Sequence, residues 1–119
     1  MNVNKSTAGY HMLVMLSKAD GEFADKEKKV VSEYLETNFT EPVNLLNEDQ
    51  VLERLPTGSE LEHFVQVANT FFFNSTEDER IQFLDFAFKV IHADQKVSRE
   101  ENQLIDALYT QWDLGVEEL

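Results

Sequence analysis

Two stretches of this chain carry carboxylates at a repeated spacing. Asp20 and Glu27 lie seven residues apart in Ala19-Asp20-Gly21-Glu22-Phe23, and Asp94 and Glu101 lie seven apart in Ala93-Asp94-Gln95-Lys96-Val97. In both, an apolar residue stands three after the Asp. Carboxylate oxygens are hard donors, and four of them brought together suit a hard divalent cation such as Ca²⁺ or Mg²⁺; Zn²⁺ is also compatible. The run from Asp20-Gly21 to Glu27 matches the second half of an EF-hand calcium loop, with Phe23 at its apolar position. The first half is missing. Leu16 and Lys18 occupy the remaining ligand positions in one copy, and Val90 and His92 in the other. A standard EF-hand is excluded, and half a site per copy remains.

Each of these residues has a structural alternative. Glu27 and Glu101 sit where a Glu at the third helical position caps its own helix start. Phe23 and Val97 suit the role of plugs that hold their turns against a core. Asp20 and Asp94 follow the last turn of a helix, where a negative charge opposes the dipole by about 0.3–1 kcal/mol. Loop N–H groups or a paired cation would offset this.

Other constellations are thin. Glu60-x-x-His63 is similar to the Glu-x-x-His element of di-iron bundles, but those need it twice with further glutamates. No His-Glu-x-x-His, phosphate-binding loop or Gly-x-Ser-x-Gly occurs. His11, His63 and His92 are isolated along the chain, although His92 is near Asp94. The expectation is no enzyme and no organic cofactor.

The elements that must position these residues are helical. The chain has four Gly and two Pro in 119 residues, and apolar residues recur with helical spacing. A first helix is expected over about 6–19, with Met12, Leu13, Leu16 and Ala19 on one side. A second starts near Asp25 with Val30, Val31, Tyr34 and Leu35 as its stripe. Pro42 opens a short piece through Leu46, and a cap at Asn47 with Gln50 leads into another that Pro56-Thr57-Gly58 ends. From Ser59, Leu61, Phe64, Val65, Ala68, Phe71 and Phe72 mark a fourth. Phe73 is read as folded under the turn at Asn74, against the alternative of an exposed apolar patch for a partner. Ser75 or Thr76 begins a Phe-rich helix apolar nearly all round, which reads as the central one. Ser98 with Glu101 caps the last, which carries Leu104, Ile105, Leu108 and Trp112.

Shifting the chain by 74 residues lays the first helix–turn–helix on the last. Met12, Leu13, Val14 and Leu16 fall on Phe86, Ala87, Phe88 and Val90; Val30, Val31 and Tyr34 fall on Leu104, Ile105 and Leu108. The expected fold is a single all-α domain over residues 1–119, a compact helical bundle of about six to seven helices with a duplicated hairpin.

Ten basic against 23 acidic residues leave a net charge of −13. Such a surface repels phosphate backbones and anionic lipid, so nucleic acid is not expected as a partner. Cations and basic protein surfaces fit better, and acidity also serves solubility alone. No cysteine is present, which removes disulfides and thiolate chemistry. The apolar stretch Met12–Leu16 is too short for a signal or a membrane span, so a cytoplasmic location without membrane insertion is expected.

The turn Ala19-Asp20-Gly21-x-Phe23-x-x-x-Glu27, its degenerate return from Ala93 to Glu101, and the Phe-rich helix before the second copy resemble the TerB-like tellurite-resistance family. The N-terminal domain of DjlA co-chaperones is a relative of that family. The resemblance spans nearly the whole chain, but its specific part is two nine-residue stretches. It implies an all-helical domain, a stress-response role, and divalent-metal binding by Asp20, Glu27, Asp94 and Glu101. Beside it, a binding module that also docks a protein partner of unstated identity is expected. Gln95 in place of Gly, with Lys96 and Arg99 nearby, departs from the pattern in the second copy. No DnaJ segment is present to carry a chaperone role.

Overall fold

The computed structural model describes residues 4–19, 25–39, 43–91 and 99–112. These form six α-helices and no strand: α1 Lys5–Ala19, α2 Asp25–Asn38, α3 Leu45–Glu53, α4 Glu60–Phe73, α5 Glu77–Ile91 and α6 Arg99–Gln111. The all-α bundle is as expected, and α1 and α2 pack together as a pair at the start of the chain.

The central element is not. The helix buried on every side is α1, packed against α2, α3, α4, α5 and α6. Every residue from Ser6 to Ser17 is buried, whereas α5 exposes Ile81, Gln82, Asp85 and Lys89. The reason lies in size rather than hydropathy. Ser6, Thr7, Ala8 and Gly9 are small enough to let neighbours close on all sides, while on α5 the buried side chains are Phe83, Leu84 and Ala87, with Phe86 and Phe88 only partly covered. At Gly9 a β-carbon would come within 3.2 Å of the Phe83 ring and 3.4 Å of Leu35, so glycine lets the neighbours approach more closely than a larger residue would.

An aromatic cluster fills the space around α1. Phe71 stacks on Trp112 at 5.5 Å and meets Phe83 at 4.6 Å and Phe39 at 5.8 Å. The Trp112 indole N–H donates to the Ala68 carbonyl at 2.9 Å, which ties the end of the last helix to the middle of α4. Tyr34 stacks on Phe86 at 4.0 Å.

Local details depart from the pattern where caps or neighbours intervene. The two short pieces expected around Leu46 and Val51 are one helix, because the Asn44 side chain accepts the Asn47 N–H and starts α3 three residues earlier. Val30 and Leu61, assigned to stripes, are 46% and 47% exposed, and Val67 takes the core place expected for Val65. Phe73 is not folded under its turn. It is 79% exposed, because Asn74 ends α4 by bonding back to the Thr70 carbonyl and the Phe71 carbonyl, leaving Phe73 on the outer side. Thr76 and Glu79 form a reciprocal cap at the start of α5, with N···O distances of 2.9 and 3.2 Å. The Ser98 cap, the Pro42 turn and His92 lie outside the described residues.

The two hairpins meet at equivalent positions. Lys5 and Glu79, one repeat apart, form an ion pair at 2.9 Å. Gly9 and Phe83, again one repeat apart, make the close approach noted above. Contacts that advance together along both helices, 5 with 79 and 9 with 83, mean that α1 and α5 run in the same general sense.

Candidate functional site

Of the four predicted ligands, Asp20 and Asp94 lie outside the described residues, and Glu101 is placed only as a residue in the first turn of α6. Glu27 is described. It stands third in α2, partly buried, and its Oε2 is buried without a hydrogen-bond partner. Four buried side-chain oxygens lack a partner among the described residues, and the others belong to Ser17, Ser32 and Tyr34. Glu27 is thus the one carboxylate among them. A buried carboxylate oxygen left bare is costly unless a positive charge meets it.

The helix ends beside the acidic turns share one end of the bundle. Because α1 and α5 run in the same sense, their C-termini point to the same side. Lys18, near the end of α1, and Gln103, one turn into α6, line a common groove. That groove has a volume of about 560 Å³ and is walled mostly by apolar side chains including Val14, Met15, Leu52 and Leu104, with Glu60 of α4 at its edge. Among the described residues no three His, Asp or Glu side chains are placed to hold a metal.

A second polar constellation was not legible along the chain. His11, buried in the middle of α1, bonds through Nε2 to the Glu48 carboxylate at 2.7 Å and through Nδ1 to His63 Nε2 at 2.8 Å. Glu48, itself buried on α3, also accepts from the Asn47 amide at 3.0 Å. Burial and the neighbouring His11 hold His63 below the usual histidine range. Beside this chain, the Tyr10 hydroxyl donates to Asp49 at 2.5 Å, and Lys28 of α2 pairs with the other oxygen of Asp49. Burial, then the bond to Asp49, pushes the Tyr10 phenol well above its ordinary value. The polar contacts bring α1, α2, α3 and α4 together at one level. The signal available in the sequence was a histidine within an unbroken buried helix, which demands partners. Nothing in the spacing named Glu48, 37 residues away.

Residues 6–118 match the family described as tellurite resistance protein TerB. The chain belongs to the TerB tellurite-resistance family. This confirms the resemblance carried by the two acidic turns, over nearly the whole length. The TerB family is a non-catalytic one. Comparison with curated proteins and with solved structures returned no match. No helix among the described residues is long and apolar enough to cross a membrane.

Proposed function

We propose that this TerB domain is a non-enzymatic cytoplasmic binding module of the stress-response type, which takes up a divalent cation through its acidic turns and docks a protein partner. Asp20, Glu27, Asp94 and Glu101 are the ligands, and Ca²⁺, Mg²⁺ or Zn²⁺ the ion. The observation that carries this reading is the Glu27 Oε2, buried at the start of α2 and without a partner among the described residues. The common direction of α1 and α5 supports it, because the ends of these two helices, which precede the acidic stretches in sequence, then face the same side.

The test is a thermal melt with and without each ion. An ion at about 100 times its Kd adds about 2.7 kcal/mol, a rise of several degrees for a domain of this size. Replacing Asp20 and Glu27 with Ala abolishes the rise. A wild-type protein whose melting temperature ignores all three ions overturns the proposal.

A metal-independent, co-chaperone-like interaction domain is the second reading. Phe73 at 79% and Leu46 at 74% exposure favour it, since large apolar side chains on a small surface suit a docking partner. Partner capture unchanged by EDTA separates it from the first.

A further inference from the structure

The Glu48–His11–His63 chain has an inner end sealed in the core and an outer end at half-buried His63. In the neutral state the bonds run one way. His11 Nε2–H donates to Glu48, and His63 Nε2–H donates to the Nδ1 lone pair of His11. A proton arriving at the outer nitrogen of His63 can be relayed. His63 passes its Nε2 proton to His11, which becomes an imidazolium donating to Glu48 on one side and to His63 on the other. No bond is lost, and the charge lies between a carboxylate and a neutral ring. As long as the Glu48 carboxylate keeps its charge, a second proton has no such place. It sets two imidazoliums facing each other across 2.8 Å, each presenting an N–H and neither a lone pair.

We infer that this chain is a proton-operated latch, which holds one added proton with every bond intact and releases the start of α4 from α1 on the second. The surrounding groups leave His63 without another anchor. On α1, Tyr10 is committed to Asp49 and Lys18 is exposed. On α3, Glu48 is committed to His11 and Asn47, and Asp49 to Tyr10 and to Lys28 of α2. On α4 itself Glu60 and Glu62 are exposed. Among the described residues α6 presents uncharged Gln103 and Leu104 toward this side. No described carboxylate lies within bonding distance of His63 to hold a charge in place.

The latch acts on the apolar groove. Met15 and Leu52 stand four residues after His11 and Glu48, and Glu60 three before His63; all three line the groove. Loss of the His11–His63 bond therefore loosens the wall that α4 gives to that groove.

The sign follows from linkage. His63 is held low in the closed state and returns to its ordinary value, about 6.5, once open. The closed state is thus fully favoured above that value, and opening grows, by at most about tenfold per pH unit, as the pH falls below it toward the lowered closed-state value. Amide exchange on the full chain between pH 7.5 and 5 reads this directly. The amides of residues 64–67 lose protection relative to those of 83–87 in α5, by up to about tenfold per unit. In His63→Gln, whose amide still donates to His11 but takes no proton, that differential loss disappears. Side-chain nitrogen spectra of the wild type give a second readout that needs no variant, with His63 titrating below about 6.5. A segment 64–67 as protected at pH 5 as at pH 7.5, a His63 that titrates at or above its ordinary value, or a His63→Gln protein that opens in acid like the wild type each overturn the proposal.

Discussion

The two hairpins share a sequence pattern and occupy opposite situations. His11 in α1 is buried between Glu48 and His63, while its equivalent Asp85 in α5 is exposed and, among the described residues, pairs with Lys89 of its own helix at 3.4 Å. Thr7 is buried and its equivalent Ile81 is 57% exposed. Polar residues thus sit in the core copy and an apolar one at the surface of the other. The difference teaches that centrality in a small bundle is set by how closely neighbours can approach, and that polar groups are tolerated at the centre where each finds a partner.

Paired substitutions at the two hairpins break or sharpen this contrast. Leu13→Ala removes a fully buried side chain from α1 and is expected to cost about 2–5 kcal/mol, whereas Ile81→Ala in α5 stays within about 0.5 kcal/mol. Equal costs in denaturant melts would show that the two helices are equally buried in solution. Gly9→Val comes next. Its side chain has to enter a space where a β-carbon already meets Phe83 at 3.2 Å and Phe71 at 3.5 Å, and overpacking of this kind costs about 1–3 kcal/mol. A melting temperature unchanged by Gly9→Val would mean that α1 and α5 are not in close contact at that point.

The smallest effect is expected at the Lys5–Glu79 pair, where equivalent residues of the two copies meet. Burial raises the Glu79 carboxyl, but the bonds from Lys5 and from the Thr76 N–H outweigh it and hold it below the usual carboxylate range. Its contribution is therefore present above the ordinary carboxylate value and is lost as the pH falls through the lowered one. Lys5→Met is expected to cost about 0.2–1 kcal/mol near neutral pH, as partly exposed pairs do. The difference from wild type should shrink in acid. A gap that persists below pH 3 would place the loss in packing rather than charge.

Much of the architecture could be read from spacing alone. The starts of α2 and α4 and the duplicated hairpin follow from helical periodicity and breakers that act within a few residues. Failures arose where distant groups decide. The pattern around α5, apolar on nearly every side, implied burial on every side, yet Ile81 has no neighbour to cover it. Asn44 outcompeted Asn47 as a cap because its side chain reached an N–H that periodicity does not count. The site divides similarly. The candidate ligands Asp20, Glu27, Asp94 and Glu101 rest on a spacing that recurs along the chain, while the Glu48–His11–His63 chain joins three helices and only the buried place of His11 hints at it.

Trp112 is the chain's one tryptophan. Its ring lies against Phe71 and its N–H is held by a carbonyl 44 residues back. The molecule thus carries an intrinsic fluorophore at the junction of α4 and α6, so that loosening of either helix registers in the emission of an unlabelled protein.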